Sequence, residues 1–463
     1  MKKKIAIFSF LLFSLTAGWG VSLSVVKRVE GLHFYNFYRS FEAGEGIGVI
    51  GYYSHTATPR EIEKARRELQ QLIERGIARQ KGEFEKQLER GIEKGMEKFN
   101  PPLWLSGFFP KEVGKEGGKW LFITLLKWAP KIGRFETPVG KLGEVGIIVV
   151  EGEKVRKIPL GVEAPVMDIS ISPSRKIAVL LDYSVNRKLV GRLLILTSSG
   201  QKIGEWLFPN LTYQIEFAPG EGQEILALLF TNPSSRWWQE KGIRFFDWKR
   251  GKFLPYYLTF KGAGSPGKGG VDIGFDYRPP YFQFTSSALI TADGKLHSYP
   301  SLRPLPRQLP PMGLWWGVSP DSFYLISDRT IWETGSWKRV GKLPFSPYSF
   351  SFSPATSTLW ITFPFMAGGE FKLPSLGKIR ELKKVVAPTP LPSGKWVVGV
   401  SHTPPLKILL FRVKKERREL LTPADAVASY PLPSDRVVGI LPLSSTHFGV
   451  ITPNHFLLFK ITP

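Results

Sequence analysis

Residues 168–181, DISISPSRKIAVLL, decide the fold, because their pattern returns along the chain. An apolar strand runs into Ser-Pro and a short turn, and a second apolar strand follows. Similar phrases surround Pro173, Pro219, Pro320, Pro354, Pro392 and Pro433. The steps between them are 46, 101, 34, 38 and 41 residues, and the longest step has room for two units. A repeat of about 40 residues built from short strands predicts a β-propeller.

A second recurring phrase predicts four strands in each repeat. It reads LLILTSSGQKIGEW at residues 193–206, RFFDWKRGKFLPY at 244–256 and FKLPSLGKIREL at 371–382. In each copy an apolar strand meets a turn that carries Gly200, Gly251 or Gly377, and glycine supplies the positive φ that many tight turns need. Two hairpins make one four-stranded blade, which buries its two faces only by stacking against neighbouring blades.

Three short motifs resemble the repeats of WD-type and TolB-type propellers. They are VSPD at Val318–Asp321, FSP at Phe352–Pro354 and DWKRGK at Asp247–Lys252, and the resemblance covers residues 165–460, roughly. The Trp-Asp and Gly-His dipeptides of WD repeats are missing from the expected positions. The resemblance therefore implies the fold, and no family binding residue is carried over.

The sequence predicts a mainly β protein with seven blades, and eight is the alternative. Inner strands are expected to begin near Val166, Thr212, Val271, Leu314, Tyr348, Val386 and Val427. Residues 120–160 contain two further strands, Gly146–Val150 and Val155–Leu160, which either form part of an eighth blade or pair with Phe456–Ile461 to close the ring. The seven-bladed ring with such a closure is the favoured interpretation.

The N-terminus is typical of an exported protein. Lys2, Lys3 and Lys4 precede 22 uncharged residues, Ile5–Val26. Residues 1–28 are interpreted as a transmembrane anchor or as a signal peptide cleaved near Ala17–Gly18 or Ser22–Ser24. The protein is then either anchored in the inner membrane and facing outward, or periplasmic or extracellular. The chain has no cysteine, which excludes disulfides, a lipobox and a thiolate metal site.

Three segments separate this leader from the predicted propeller at residues 144–463. Residues 29–57 are rich in aromatic residues and glycine. Residues 58–100 predict a charged amphipathic helix, with Thr58 as N-cap and Pro59 in its first turn. Residues 101–143 are rich in Trp and Lys and are interpreted as a connector or as part of an extra blade.

The charge of the chain points to an anionic partner. The chain has 63 Lys/Arg against 39 Asp/Glu, a formal net charge of +24. The densest basic run supplies the candidate binding residues Lys407, Arg412, Lys414, Lys415, Arg417 and Arg418. Such a field favours a membrane surface, an anionic polymer of the envelope or an envelope protein. Nucleic acid is disfavoured as a partner if the protein is exported.

The motif search predicts a binding protein. No Ser-centred nucleophile elbow, P-loop or calcium loop occurs, and the six histidines lack metal-ligand spacing. A G-x-G-x-x-G at Gly46, Gly48 and Gly51 lacks the βαβ context of a dinucleotide site. We therefore expect no catalytic, cofactor or metal residues, and a binding or assembly scaffold at the cell envelope. The alternative is an exported enzyme that acts on a glycan-like substrate in the central funnel. Its candidate carboxylates are Asp247, Asp272 and Asp276.

Overall fold

The computed structural model contains eight β-sheets arranged as the blades of a propeller. It describes residues 21–39, 46–55, 142–161, 166–182, 190–220, 224–231, 240–261, 280–313, 316–347, 349–353, 355–363, 367–413 and 419–462. Within these ranges the only helical element is a 3₁₀ turn at Pro423–Asp425. The β-propeller fold is thus confirmed. The count is eight, so the alternative was right and the favoured seven was wrong.

The first four blades take up the N-terminal half of the structure. Blade 1 contains β2 (His33–Arg39), β3 (Ile47–His55), β4 (Leu142–Glu151) and β5 (Lys154–Pro159). Blade 2 contains β6 (Val166–Ile171), β7 (Ile177–Asp182), β8 (Val190–Leu196) and β9 (Lys202–Pro209). Blade 3 contains β10 (Leu211–Phe217), β11 (Ile225–Thr231), β12 (Glu240–Asp247) and β13 (Lys252–Lys261). The described strands of blade 4 are β14 (Phe282–Phe284), β15 (Ala288–Thr291) and β16 (Leu296–Ser298).

The last four blades complete the ring. Blade 5 contains β17 (Trp316–Val318), β18 (Tyr324–Ser327), β19 (Thr330–Glu333) and β20 (Lys338–Lys342). Blade 6 contains β21 (Ser349–Phe352), β22 (Thr358–Thr362), β23 (Gly368–Lys372), β24 (Gly377–Leu382) and the added strand β28 (Glu419–Leu421). Blade 7 contains β25 (Val385–Pro390), β26 (Trp396–Ser401), β27 (Lys407–Arg412) and β29 (Ala428–Pro431). Blade 8 contains β30 (Gly439–Pro442), β31 (His447–Ile451), β32 (His455–Thr462) and β1 (Ser22–Glu30).

The first strand of each sheet lies at the centre of the ring. Contacts between β2 and β6, β6 and β10, β21 and β25, and β25 and β30 join neighbouring inner strands. Since successive strands of a blade are antiparallel, the connection between the second and third strands lies on the same face as the link to the next blade. The strand ends that flank residues 56–141 (β3 and β4) and residues 232–239 (β11 and β12) therefore lie on that face.

Apolar clusters fill the interfaces between neighbouring blades. Separate clusters join blades 1 and 2, 2 and 3, 5 and 6, 6 and 7, 7 and 8, and 8 and 1, while one cluster spans blades 3 to 5. The interface of blades 2 and 3 is aromatic, with Phe208 packing edge-on against Phe246 at 5.2 Å between ring centroids. Every blade therefore shares buried side chains with both of its neighbours.

The ring is closed by the N-terminal strand. β1 is the outer strand of blade 8 and pairs antiparallel with β32, from Ser22 opposite Thr462 to Glu30 opposite His455. The predicted closure by strands 146–150 and 155–160 was wrong, because β4 and β5 pair with β2 and β3 in blade 1. Residues 22–39 and 46–55, which the sequence placed before the propeller, belong to it. The predicted helix at 58–100 and most of segment 101–143 lie outside the described residues.

Two of the predicted inner strands also need correction. The phrase around Pro433 is not a hairpin, because β29 before it is the outer strand of blade 7 and β30 after it is the inner strand of blade 8. The inner strand expected near Val427 therefore begins at Gly439. The inner strand expected near Val271 falls outside the described residues, and the inner strand of blade 4 begins at Phe282.

Candidate functional site

The inner strands of blades 2 to 5 are joined by polar side chains, which we call the inner seam: Asp168, Ser170, Gln214, Glu216 and Gln283. An inner strand has no ladder partner on the side of the axis, so its main-chain N–H groups there need another acceptor. In the inner seam this acceptor is a side chain of the preceding blade. Within one strand the polar residues are two positions apart, as in Asp168 and Ser170, because alternate side chains of a strand lie on one face.

The geometry of the inner seam repeats from blade to blade. Ile215 N donates to Asp168 Oδ2 at 2.6 Å, and Phe217 N donates to Ser170 Oγ at 2.9 Å. One blade further on, Tyr281 N donates to Gln214 Oε1 at 2.7 Å, while Gln214 Nε2 donates to the carbonyl of Phe282, also at 2.7 Å.

The inner seam continues into blade 5. Phe284 N donates to the carboxyl group of Glu216, and Val318 N donates to Gln283 Oε1 at 2.9 Å. The side chains of the inner seam thus hold the main chain of the next blade in place.

The two carboxyl groups of the inner seam influence each other. Burial raises the pKa of Glu216 to about 8; the hydrogen bond from Phe284 opposes that rise, and the charge of Asp168 adds to it. The raised pKa favours the neutral form of Glu216 near Asp168. Each carboxyl group accepts a main-chain N–H, which is a structural task.

A second buried ionisable group lies where blade 3 meets blade 4. Lys241 at the start of β12 is buried, and its desolvation lowers its pKa to about 8. Its Nζ donates to Thr231 Oγ1 at 3.1 Å and lies 5.3 Å from the centre of the Tyr281 ring. The sequence analysis missed both this lysine and the inner seam. Alternating polar residues in consecutive inner strands were the available signal for the inner seam.

The described members of the predicted basic cluster do not lie close together. Lys407 begins β27 and Arg412 ends it, so their Cα atoms lie about 17 Å apart on opposite faces of the ring. Both side chains are exposed. The other four members lie outside the described residues, between Val413 and β28: Lys414, Lys415, Arg417 and Arg418.

The strand β28 fastens blade 7 to blade 6. It leaves blade 7 and pairs in parallel with β24, with Arg380 opposite Glu419 and Leu382 opposite Leu421. Arg380 in β24 forms an ion pair with Glu370 in β23, and both side chains are buried, at 3% and 4% exposure. The described strands β27 and β28 flank the segment 414–418, which lies outside the described residues.

Basic side chains are concentrated on the outer strands, which form the rim. Exposed bases on the outer strands are Lys27, Arg28, Lys154, Lys157, Lys202, Lys252, Lys338, Arg339, Lys342 and Lys378. Of the eight inner strands, β2 contains one base, Arg39 at its end, and the other seven, β6, β10, β14, β17, β21, β25 and β30, contain no Lys or Arg. Exposed charge thus increases outward from an axis that holds Asp168 and Glu216.

Other candidates from the sequence have structural roles. Gly48 and Gly51 lie in β3, where a Cβ would come within 2.3 Å of Leu441 and 3.3 Å of Val166, so both glycines permit close packing of blades. Asp247 accepts the N–H of Arg250 at 3.0 Å in a turn far from the axis. Asp272 and Asp276 lie outside the described residues. Within the described ranges no three His, Asp or Glu side chains are placed to hold a metal ion.

No protein-family model matches the chain, and no curated protein does. Among solved structures, the crystal structure of BamB from Moraxella catarrhalis matches 68% of this chain and 93% of its own, with 9% sequence identity and a TM-score of 0.44. In the described part of the chain, no helix has the length and apolar character needed to cross a membrane.

Proposed function

We propose that this protein is exported and acts as a binding scaffold at the cell envelope, with a basic rim that holds anionic partners. The observation that carries the proposal is the outward increase in basic charge. On β20 the side chains of Lys338, Arg339 and Lys342 are exposed, and no acidic side chain among the described residues forms an ion pair with them. A positive surface of this kind attracts anionic lipid headgroups and acidic polymers.

Export is supported by the basic N-terminus and the uncharged residues that follow it. Because β1 begins at Ser22, the uncharged stretch ahead of the propeller is Ile5–Val21, 17 residues long. That length is at the lower limit for a membrane span and suits a signal peptide. Removal of a signal peptide after Ala17 would leave β1 intact, whereas cleavage within Ser22–Ser24 would remove the start of the closing strand.

The proposal is tested with vesicles and with a reporter. The purified protein should sediment with vesicles containing about one third phosphatidylglycerol and should stay in solution with phosphatidylcholine vesicles. Replacing Lys338, Arg339 and Lys342 by Gln should weaken binding by up to about 100-fold, since each base near an anionic surface contributes about 1 kcal/mol. The matched control replaces Lys338 and Lys342 by Arg, which keeps the charge.

Two results would contradict the proposal. The first is binding that is equal on both vesicle types or unchanged in 1 M salt, because the Debye length falls to about 3 Å there. The second concerns a reporter fused to residues 1–30: activity of the fused reporter only inside the cytoplasm would show that these residues do not direct export.

An enzyme in the funnel is the second candidate, and the observation that favours it is the nearness of Asp168 to Glu216, whose pKa is raised to about 8 by burial and in smaller part by the charge of Asp168. In the scaffold interpretation, Glu216→Gln changes the stability of blades 3 and 4 and leaves binding to anionic vesicles unchanged. In the enzyme interpretation, the same variant abolishes the release of reducing sugar from envelope glycans while the melting temperature is kept.

A further inference from the structure

Arg244 is an arginine whose charged group rests on aromatic rings at the outer part of blade 3. Its guanidinium carbon lies 3.8 Å from the centre of the Phe253 ring and 6.0 Å from that of Phe230. The side chain is half-buried, and no described side chain forms an ion pair or hydrogen bond with it. A guanidinium group has five N–H donors, and a contact with ring faces satisfies its charge in part without accepting hydrogen bonds from them.

Exposed tyrosines lie beside this arginine. Tyr257 in β13 is directly opposite Arg244 in the strand ladder, so both side chains lie on the same face of blade 3. Tyr257 is 57% exposed and its neighbour Tyr256 is 43% exposed. Large exposed aromatic side chains beside a stacked arginine are the composition of protein-binding hot spots.

The main chain of β13 offers a strand edge at the same place. The carbonyl of Thr259 accepts a hydrogen bond from Lys295 Nζ at 3.1 Å, so Thr259 directs its main-chain groups away from β12. Because this direction alternates along a strand, Tyr257 also directs its N–H and carbonyl outward. Residues 253–260 of β13 are uncharged, whereas β20 has three bases and the edge of β24 is covered by β28.

We infer that the outer edge of blade 3 binds an extended peptide segment whose carboxylate pairs with Arg244. The N–H and carbonyl of Tyr257 and the N–H of Thr259 select a peptide, because a second main chain supplies matching donors and acceptors at strand spacing. The carbonyl of Thr259 is bound to Lys295, and Pro255 has no N–H. The contact therefore centres on Tyr257, opposite Arg244. The guanidinium group selects an acidic side chain, which it can bind through two parallel hydrogen bonds. The inference rests on the proposed scaffold function for its setting and deepens it by naming one class of partner.

The test uses an array of nine-residue peptides of alternating Thr and Val in which a Glu occupies each position in turn. A second array carries Gln instead. We expect at least one Glu peptide to bind the full-length protein about tenfold more tightly than its Gln counterpart, as measured by fluorescence anisotropy. Arg244→Ala should remove that tenfold preference, and Arg244→Lys should restore only part of it because the planar fork is lost.

Two further variants separate the parts of the site. Thr259→Pro removes an outward N–H and keeps the ladder to β12, so it should weaken the Glu and Gln peptides equally. Arg250→Ala is the matched control, since Arg250 lies on the same blade, is 80% exposed and carries the same charge. It should leave the preference for Glu unchanged.

Three results would overturn the inference: no peptide binds below 1 mM, the preference for Glu survives Arg244→Ala, or an acidic polysaccharide displaces the peptide at equal carboxylate concentration. Vesicle binding is scored separately on the Lys338, Arg339 and Lys342 variant. A failure of the peptide site with intact vesicle binding would refute this inference alone, and the reverse result would refute the charged rim.

Discussion

Removal of strand β1 should open the ring of blades. β1 lays four half-buried aliphatic side chains, Leu23, Val25, Val26 and Val29, against two clusters. Leu23 and Val25 pack on the interface of blades 7 and 8, and Val26 and Val29 pack on that of blades 8 and 1. A register shift between Val25 and Lys27 lets one strand serve both interfaces.

The expected loss follows from this burial. Full burial of an aliphatic side chain contributes about 1.5–3 kcal/mol, so four half-buried ones contribute about 4 kcal/mol together. Domains are typically stable by only about 5–15 kcal/mol, which makes this loss a large share of the whole. The loss of β1 also exposes the edge of β32, which carries the buried Phe456 and Leu458.

The assay compares two truncated proteins by urea unfolding, followed by tryptophan fluorescence. Deletion of residues 1–30 should lower the free energy of unfolding by about 4 kcal/mol relative to deletion of residues 1–20, which keeps β1. If the shorter protein does not fold, Leu23→Ser and Val25→Ser in the longer one should each cost about 1 kcal/mol. Equal unfolding midpoints for the two truncations would refute closure by β1.

Three further predictions concern the N-terminus, the buried ion pair of blade 6 and the inner seam. Intact mass of the protein isolated from the envelope should place its first residue at or before Val21, and a mature chain that begins within β1 would contradict the observed pairing. Glu370→Gln should lower the free energy of unfolding by about 3–5 kcal/mol, because it leaves the buried Arg380 without its charged partner; replacing both residues by Met should recover much of that loss in the same urea assay, and a wild-type midpoint for Glu370→Gln would contradict the ion pair. Burial raises the pKa of Glu216 to about 8 from 4.5, so folding favours its neutral form. That stabilisation is complete below pH 4.5 and is lost as the pH rises through 8, so the urea midpoint should fall across this window in the wild type and fall less in Glu216→Gln; equal slopes would show that Glu216 does not titrate between these limits.

The sequence predicted the parts of the fold that depend on short-range pattern. Hairpins around Pro173, Pro219, Pro320 and Pro392 lie where the repeat placed them, because alternation of apolar residues and turn chemistry act over a few residues. The phrase around Pro433 has the same pattern but joins two blades. A strand, a proline turn and a strand read alike in both settings, since the pattern does not say which strands share a ladder.

The candidate site was less accessible from the sequence. Strand pairing places β20 and β13 at the outer edges of their blades, and the sequence does not show this pairing. The sequence therefore did not predict the exposed bases on β20 or the contact of Arg244 with Phe253. The predicted cluster at 407–418 follows one run of sequence, and β27 separates Lys407 from Arg412. The net charge of a chain counts all of its residues, whereas a binding surface depends on where each strand lies.

The sequence by itself therefore determined a propeller of four-stranded repeats, a basic chain and an uncharged N-terminal segment. The tertiary structure decided that there are eight blades, that β1 closes the ring against β32, and that Asp168, Gln214 and Glu216 join inner strands. The physical reason is distance along the chain. Hairpins are selected by neighbouring residues, while closure and the inner seam arise only when strands far apart in sequence bury their faces against each other.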